Sequence, residues 1–368
     1  MAEERFDVVV LGARVAGSTL AALLGRGGLK VLLVDRSRFP SDTLSTHFFR
    51  GGAFLDVLGT TGALAPVLKL GAPPLRREYL YAAGSVEPQV GPPQSPGAIG
   101  YNLSVRRTAL DSTLVDVAAG SPQVELALGS NADRVFTDPH RVTGVELEGP
   151  NGRRGVRADL VVGADGRNSW LAAAVSAPTE SLESGHRGMY YAYFADFSAP
   201  VVPADGAEFS VHGDEMAYVF PSDGGVACIA LSLNREMFRW CQADPSTRFV
   251  SRLVSHHPGI GARLSRARQE GPLRGVGPAP NFVRRPYGPG WALVGDAETH
   301  QDPFAGRGID TAGQHAALLA EEVLRWHREG GAWEDAGRRY AARRDALSRE
   351  EYDSTVRLSR DLRAFPFE

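Results

Sequence analysis

Residues 6–35 constrain the fold more than any other stretch of this chain. They begin with a run of strand-forming residues, Phe6–Leu11, which ends in the glycine-containing turn Gly12–Gly17. A helix-compatible run, Ser18–Leu24, follows the turn, and a second buried-strand run, Val31–Val34, then ends on Asp35. This order of strand, glycine turn, helix, strand and acid predicts the first βαβ unit of a dinucleotide-binding domain.

The turn has a physical role for most of its positions. Gly12 allows a tight turn off the strand, and Gly17 lets the helix lie close to the sheet. The helix N-terminus near Ala16 offers N–H groups and a partial positive charge to a pyrophosphate, and Asp35 can accept hydrogen bonds from ribose hydroxyls. Arg14 stands where G-x-G-x-x-G has its middle glycine, so its side chain either turns outward or adds a charge near the phosphates. The alternative is an ordinary βαβ turn with no ligand.

Composition narrows the class of protein. The 368 residues, 43% of them hydrophobic, suffice for a large core and two domains. A net charge of −3 gives no attraction to nucleic acid or anionic membranes. The only cysteines, Cys228 and Cys241, have no metal-binding spacing, so we expect neither a metal site nor a disulfide framework. With no signal peptide and no apolar run near the ~20 residues of a membrane span, we expect a cytoplasmic α/β protein.

Three strand-like runs finish on an acid, at Asp35, Asp165 and Asp296, and glycine flanks the second and third acids. Ligands of open α/β sheets bind at the carboxyl ends of the strands, so we expect these acids to lie along one long ligand. Residues 188–233 alternate instead like an antiparallel sheet. A helix with an apolar face is predicted over Ile309–Arg328.

These elements together resemble a known family. Gly12–Gly17 with Asp35, the Asp165-Gly166 pair, and Gly295-Asp296-Ala297 followed by Asp302–Ile309 are similar to the motifs of flavoprotein hydroxylases with the p-hydroxybenzoate hydroxylase fold. Geranylgeranyl reductases and flavin halogenases share that superfamily, and the likeness spans nearly the whole chain. It implies an α/β, Rossmann-like FAD-binding domain with an antiparallel β-sheet substrate domain. The implied FAD-binding domain is discontinuous, over 1–75, 100–178 and 284–368, and the substrate domain takes 76–99 and 179–283.

The resemblance also implies the cofactors and the residues that hold them. It implies FAD, with NAD(P)H as the electron donor, Asp35 on the adenosine ribose and Asp296 on the ribityl chain. Arg107 lies in an R-x-x-L-D-x-x-L pattern that contacts the cofactor in this family, and Arg50 falls where relatives place an arginine near the pyrophosphate. The other cofactor-binding candidates are Gly12, Arg14, Ala16, Gly17, Arg36, Asp165, Pro303, Gly306, Arg307, Gly308 and Ile309.

A physical reason supports the candidates Gly306-Arg307-Gly308. They open the helix that starts near Ile309, and free N–H groups at a helix N-terminus stabilise the negative charge of a reduced flavin. The glycines let the backbone come close to that ring. Pro303 is apolar and lacks a donor, which suits the ring face where oxygen adds. The alternative is an ordinary turn and cap.

Two residues are candidates for catalysis. His47 ends the polar loop after the second strand and is predicted to deprotonate a phenol, with a hydrogen-bonded structural role as the alternative. Tyr218, in Tyr218-Val219-Phe220-Pro221, is predicted to face the flavin, with plain sheet core as the alternative. Halogenation is disfavoured, because Met216 and Tyr218 take the places of the halogenase tryptophans and no lysine is suitably placed.

Three functions follow from the resemblance. The first is a single-component NAD(P)H-dependent monooxygenase that hydroxylates an aromatic or polyketide-like small molecule of secondary metabolism through a flavin C4a-hydroperoxide. The second is a flavin-dependent reductase of carbon–carbon double bonds. The third is a flavin-binding protein without turnover. The substrate, the choice between NADH and NADPH and the oligomeric state stay open.

Overall fold

Two large β-sheets organise the chain. The computed structural model describes residues 4–93, 99–197 and 205–364. The parts of the predicted domains that cover residues 1–3, 94–98, 198–204 and 365–368 therefore lie outside the described residues.

The strands and helices, in chain order, have the following bounds. The strands are β1 Glu4–Leu11, β2 Val31–Asp35, β3 Phe48–Phe49, β4 Arg77–Tyr81, β5 Gln89–Gly91, β6 Leu103–Ser104, β7 Val124–Leu128, β8 Asn131–Asp138, β9 Arg141–Gly149, β10 Gly152–Gly163, β11 Thr179–Glu183, β12 Arg187–Ala195, β13 Gly206–His212, β14 Glu215–Pro221, β15 Ala227–Asn234, β16 Arg268–Val276, β17 Asn281–Arg284, β18 Tyr287–Gly288, β19 Trp291–Leu293 and β20 Thr299–His300. The α-helices are α1 Val15–Arg26, α2 Gly51–Thr61, α3 Leu64–Leu68, α4 Arg107–Ala119, α5 Trp170–Ala174, α6 Arg235–Cys241, α7 Pro245–His256, α8 Pro258–Leu264, α9 Gly308–Glu329 and α10 Trp333–Arg360.

The first sheet has the predicted parallel core. β1 pairs in parallel with β2 and β10, β2 with β7, and β10 with β19. The strand order is β7-β2-β1-β10-β19-β18, and β9 and β8 extend β10 as an antiparallel arm. Strands buried on both faces read as continuous apolar runs, and all five residues of β2 are buried. Helices α1, α4 and α9 share the hydrophobic cluster on one face of this sheet.

The first helix begins earlier than the sequence predicted. It starts at Val15 rather than Ser18, because Arg14 has the extended backbone of an N-cap and Gly17 lies inside the helix. The later helix is close to its prediction, with α9 from Gly308 to Glu329. The glycine turn therefore occupies only the few residues that follow β1.

The second sheet is mostly antiparallel, as the alternation over 188–233 predicts. Its order is β16-β12-β15-β14-β13-β4-β5, and among these described strands only β4 and β13 pair in parallel. Helices α6, α7 and α8 cover one face through Phe238, Phe249, Leu253 and Ile260. Each such fully buried side chain stabilises the fold by about 1.5–3 kcal/mol. The other face packs against Phe48 and against Phe304, which lies in the turn that precedes α9.

The last helix is not a purely external one. Residues on one face of α10, including Trp333, Tyr340, Arg344 and Tyr352, are buried although the helix is strongly charged. The many charged residues of this helix favour an external position, yet one of its faces contributes to the core. Among the described residues no helix combines the length and apolarity needed to cross a membrane.

Candidate cofactor site and aromatic face

Four sequence-predicted residues meet at one edge of the first sheet. Leu11 at the end of β1 pairs with Val34 of β2 and with Gly163 of β10, which in turn pairs with Leu293 of β19. Because these strands are parallel, their carboxyl ends lie side by side. The segments that carry Gly12, Asp35, Asp165 and Asp296 leave the sheet at this common edge, where α/β folds bind ligands.

Close backbone approach explains both glycines of the turn. Gly12 has a φ of +104°, and a Cβ atom there would lie 2.3 Å from the carbonyl oxygen of Ala164. A Cβ atom on Gly17 would lie 1.7 Å from the carbonyl oxygen of Gly12. Neither position has room for a side chain, so the N-terminus of α1 packs directly on the strand end.

Asp35 is buried and supports the turn itself. Its Oδ2 accepts a 2.7 Å hydrogen bond from the Ala13 N–H, and its Oδ1 accepts one of 2.7 Å from the Ser37 N–H. A carboxylate has further lone pairs, so these bonds leave acceptor capacity for a ribose hydroxyl. The neighbouring Arg36 is exposed at the same strand end.

Arg14 crosses to neighbouring elements instead of lying over the turn. Its guanidinium pairs with Asp111 at 2.6 Å and donates to Ser41 Oγ at 3.2 Å and to the Asp42 carbonyl at 3.0 Å. The Nε of Arg107 donates to the other oxygen of Asp111 at 2.9 Å. The sequence left two directions open for Arg14, and the side chain takes the one toward α4 and the loop after β2.

Asp165 and Asp296 differ in what holds them. Oδ2 of Asp165 accepts the N–H groups of Trp170 at 2.7 Å and Leu171 at 3.2 Å, whereas its Oδ1 is buried with no partner among the described residues. Burial raises the pKa of Asp165. Asp296 is exposed, and its carboxylate has no hydrogen-bond or ion-pair partner in the described parts of the chain. Both therefore have acceptor oxygens to offer a ligand.

The turn before α9 leaves its backbone accessible. Gly306 has a left-handed backbone with a φ of +65°, α9 begins at Gly308, and a Cβ atom on Gly308 would meet nothing within 4 Å. The side chain of Arg307 extends toward α10, where its Nε lies 2.8 Å from Glu351 Oε1. Ile309 is buried. The first N–H groups of α9 are available to a negatively charged group.

Arg50 fixes this turn from the side. Its Nη1 donates to the Ala305 carbonyl at 2.9 Å and its backbone N–H donates to Asp310 Oδ2 at 3.0 Å. Burial raises the pKa of Asp310 to about 7, and burial likewise raises the pKa of Asp302 to about 6. One oxygen of each carboxyl group has no partner among the described residues. The sequence did not single out either aspartate, although Asp302 begins the motif that carried the resemblance and Asp310 directly follows it.

Tyr218 lies on the face of the second sheet that meets this turn. Its hydroxyl donates to the Phe304 carbonyl at 2.7 Å, and burial raises its pKa. A small cavity opens beside it, lined by residues that include Thr46, Phe48, Met189, Phe209, Phe220 and Pro303. The structure thus brings Tyr218, Pro303 and Gly306 together around an apolar space.

His47 lies beside Tyr191 and Tyr193 of the aromatic face, fully buried and with a left-handed backbone at a φ of +66°. Its Nδ1 accepts the Arg107 N–H at 3.2 Å, and its Nε2 contacts the hydroxyl of Tyr193. Because Nδ1 is the acceptor, Nε2 carries the proton and donates it to Tyr193. Burial first, and then the charges of Arg107 and Arg274, hold the pKa of His47 well below its usual range.

The observed residues fit FAD. An edge of four parallel strand ends offers two tight glycine contacts, exposed Asp296, an unpartnered oxygen on Asp165 and the open N-terminus of α9. These are the donors and acceptors that a long ligand with ribose, pyrophosphate and an anionic ring requires. The aromatic face of the second sheet lies beside the end of this edge where α9 begins.

Comparison with known proteins agrees with this geometry. The sequence profile of the FAD binding domain family matches residues 5–355. Digeranylgeranylglycerophospholipid reductase 2 of Methanopyrus kandleri is 29% identical over 87% of this chain and 78% of its own length. The reductase of that name from Methanothermobacter thermautotrophicus is 25% identical over 96% of this chain and 91% of its own. Ubiquinone hydroxylase UbiL of Rhodospirillum rubrum is 26% identical over 89% of this chain and 75% of its own length.

Solved structures share the fold. The myxobacterial chondrochloren halogenase CndH superposes with a TM-score of 0.84 and 19% identity, over 95% of this chain and 81% of its own. PqsL of Pseudomonas aeruginosa, in complex with 2-aminobenzoylacetate, superposes with a TM-score of 0.80 and 24% identity, over 98% of each chain. The predicted resemblance and fold class are confirmed. Since the profile covers almost its whole length, this chain belongs to the FAD binding domain family, and it is an FAD-dependent oxidoreductase.

Proposed function

We propose that this protein is a monooxygenase that uses NAD(P)H and oxygen to hydroxylate an aromatic or polyketide-like small molecule. The observation that carries the proposal is the aromatic, apolar face of the second sheet, which adjoins the Pro303–Gly306 turn around a small cavity. A planar substrate gains from offset or edge-to-face contacts with such a lining. Exclusion of water from the same space prevents loss of a reactive oxygen species before transfer.

The overall reaction balances as substrate, oxygen, NAD(P)H and a proton giving hydroxylated substrate, water and NAD(P)⁺. Bound FAD supplies the hydride acceptance and oxygen activation, chemistry that protein side chains lack. The residues of this chain orient the cofactor and the substrate. Asp296, Asp165 and the α9 N-terminus hold the cofactor from one side, and the aromatic face of the second sheet holds the substrate from the other.

Tyr193 supplies a hydroxyl that can orient a phenolic substrate. It lies on the same face of β12 as Met189, which lines the cavity, and burial raises its pKa, so it stays a neutral O–H donor. His47 donates to the hydroxyl oxygen of Tyr193, which leaves the hydroxyl proton of Tyr193 for an acceptor on the substrate. In this role His47 positions Tyr193, and Tyr193 donates a hydrogen bond to an oxygen of the substrate.

The comparisons support this choice without deciding it. One relative is a hydroxylase of ubiquinone, and a protein of the same fold binds 2-aminobenzoylacetate, so two similar proteins take cyclic or aromatic small molecules.

Isotope labelling tests the proposal. The FAD-loaded protein is incubated with NADPH or NADH, ¹⁸O₂ and a panel of phenols, anthranilate derivatives and quinols, and the products are analysed by mass spectrometry. We expect one ¹⁸O atom in a product and stoichiometric NAD(P)H oxidation. Substrate-stimulated NAD(P)H oxidation without any ¹⁸O-labelled product across the panel would contradict monooxygenation.

A second candidate is a reductase of carbon–carbon double bonds. It is favoured by sequence similarity to several digeranylgeranylglycerophospholipid reductases, at 24–29% identity. Under strictly anaerobic conditions, the reduced protein would then convert a geranylgeranyl lipid to a product heavier by two hydrogen atoms per double bond. A monooxygenase gives no such product without oxygen.

A further inference from the structure

A buried carboxylate directly follows the turn that carries Asp296. Residues Gly295–Ala297 form a single turn of 3₁₀-helix after β19, and Glu298 comes next. The Glu298 N–H donates to the Gly295 carbonyl at 2.9 Å, so the backbone of the turn closes on this residue. Asp296 is exposed, whereas the side chain of Glu298 is fully buried. An exposed carboxylate and a buried one are thus separated by a single residue.

Glu298 joins this turn to the two long C-terminal helices. Its Oε1 pairs with Nδ1 of His315 on α9, and both side chains are fully buried. Its Oε2 accepts the hydroxyl of Tyr340 on α10 at 2.9 Å and lies 3.9 Å from Nη1 of Arg344 on the same helix. Burial raises the pKa of Tyr340, so this residue stays an O–H donor. The two oxygens of one carboxylate are therefore held by two different helices.

His315 is itself held at both ring nitrogens. Ser348 Oγ lies 3.0 Å from the Arg344 carbonyl and 3.0 Å from Nε2 of His315. A carbonyl oxygen only accepts, so Ser348 donates to Arg344, and Nε2 donates to Ser348. Nδ1 donates to the carboxylate of Glu298, which fixes the orientation of the ring. Removing one member leaves the others buried without a partner, so the network holds together as a unit.

This network spans two of the groups assigned to the cofactor. Asp296 lies two residues before Glu298, and the N-terminus of α9 lies about two helical turns before His315. A Cβ atom on Gly295 would lie 3.5 Å from the Cβ atom of Ala312, so the turn packs directly on α9. Among the described residues no hydrogen bond joins Asp296 itself to α9. The position of its carboxylate relative to α9 therefore depends on Glu298.

We propose that Glu298 is a positioning residue for FAD binding, which acts through Asp296 by fixing the Asp296 turn to α9 and α10. The inference rests on the placement of FAD beside Asp296 that is part of the proposed function, and it does not involve the hydroxylation step. Groups that bind a ligand must be held within about 0.5 Å of their productive geometry by supporting hydrogen bonds. Without Glu298 the turn shifts relative to the α9 N-terminus, and one ligand no longer reaches both groups.

FAD affinity in a double-mutant cycle tests this proposal without turnover. The FAD-loaded variants are diluted, and the Kd is obtained from the fluorescence of the released flavin. Glu298→Gln keeps the size of the side chain but removes the charge that holds His315 and Arg344, so we expect the Kd to rise about tenfold. In the Asp296→Ala background the same substitution should change the Kd less than about twofold, because the contact through which it acts is already gone.

Glu208→Gln is the matched control. Glu208 is also buried, and its carboxylate also accepts from a tyrosine, Tyr81 at 2.9 Å, and pairs with an arginine, Arg263 at 3.0 Å. It lies on β13, and Arg263 lies on α8, so this network belongs to the face of the second sheet opposite the aromatic one. We expect Glu208→Gln to lower the temperature of thermal unfolding as Glu298→Gln does, and to leave the Kd for FAD unchanged.

Three results would overturn the positioning role. They are an unchanged Kd in Glu298→Gln, a tenfold rise that recurs in full in the Asp296→Ala background, and an equal rise in Glu208→Gln. A wild-type Kd in Asp296→Ala would overturn the positioning role together with the placement of FAD at Asp296. If Glu298→Gln does not fold, Tyr340→Phe, which removes one hydrogen bond, must show the same dependence on Asp296, and additive effects there would overturn the proposal.

The hydroxylation test gives a separate answer. The expected dependence of the Kd on both carboxylates, in a protein that forms no ¹⁸O-labelled product, would support the role of Glu298 and contradict monooxygenation. An ¹⁸O-labelled product from a protein whose two substitutions act additively on the Kd would support monooxygenation and overturn the role of Glu298.

Discussion

The guanidinium of Arg14 lies 2.6 Å from the carboxylate of Asp111, which has no exposed surface. Arg14 takes the place of the middle glycine in the nucleotide-binding fingerprint, so a residue that departs from the motif is tied to α4. Asp111 also accepts from Arg107. The pair therefore joins the cofactor turn, α4 and the loop after β2 into one unit.

Restoring the fingerprint glycine should consequently weaken the fold. Arg14→Gly leaves buried Asp111 with Arg107 as its remaining cationic partner, so we expect the free energy of unfolding to fall by roughly 1–3 kcal/mol. Urea unfolding measures this change. In the Arg14→Gly, Asp111→Asn double variant the loss should be smaller than the sum of the single losses. Unchanged stability of Arg14→Gly would show that the pair contributes nothing.

Two helical glycines should respond in opposite ways to alanine. A Cβ atom at Gly17 overlaps the Gly12 carbonyl at 1.7 Å, so Gly17→Ala should open the turn and abolish FAD retention. Gly59 lies within α2 with its nearest atom, on Leu64, at 4.0 Å, so Gly59→Ala should stabilise the protein by about 0.5–1 kcal/mol. The flavin absorbance of purified Gly17→Ala measures its FAD retention, and thermal unfolding of Gly59→Ala measures its stability. A yellow, stable Gly17→Ala protein would contradict the close packing of α1.

Asp296 should be required for holding FAD. It is exposed at the strand edge without a partner among the described residues, so its carboxylate is available to ribityl hydroxyls. Loss of a hydrogen bond to a charged group costs about 1.5–3 kcal/mol, and Asp296→Ala should raise the Kd for FAD at least tenfold. Asp116→Ala, on the exposed side of α4, is the matched control. Full flavin occupancy in Asp296→Ala under dilution would contradict the assignment.

Asp310 should make the stability depend on pH. Burial raises its pKa to about 7, whereas an unfolded aspartate has a pKa of about 3.9. Between these values the folded state keeps a proton that the unfolded state has released, so the free energy of unfolding falls as pH rises from about 4 to about 7. Asp310→Asn removes this loss and should be more stable than the wild type at pH 8 by roughly 2–4 kcal/mol, with little difference at pH 4. Denaturant unfolding of both holoproteins at pH 4 and pH 8 measures this difference in stability. The same difference between variant and wild type at both pH values would contradict the prediction.

The His47 and Tyr193 pair should affect the rate of hydroxylation without giving a pH inflection. Burial holds the pKa of His47 well below its usual range and raises that of Tyr193, so neither group titrates near neutral pH. On the proposed function, Tyr193→Phe should lower kcat about 10²-fold with little change in KM. His47→Asn should lower kcat similarly, because His47 positions Tyr193. Asparagine is chosen because it tolerates the left-handed backbone at this position. An inflection of the wild-type kcat between pH 6 and 9 that either variant removes would contradict this assignment.

The sequence by itself determined the βαβ start, the three strand-end acids and the helix that begins near Ile309. These features are local, because a strand end, a tight turn and a helix N-terminus are set by a few neighbouring residues and their backbone preferences. The alternation over 188–233 likewise determined the antiparallel sheet. The expectation that Asp35, Asp165 and Asp296 lie along one ligand followed because parallel strands end at one edge.

Only the tertiary structure decided which side chains meet. Arg14 reaches Asp111 across 97 positions, His47 contacts Tyr193 across 146, and the Leu362 N–H reaches Asp214 across 148. No spacing rule encodes such contacts, because they depend on how the two sheets pack and on which side chains are buried together. Periodicity places a residue on a face, and packing then selects its partner.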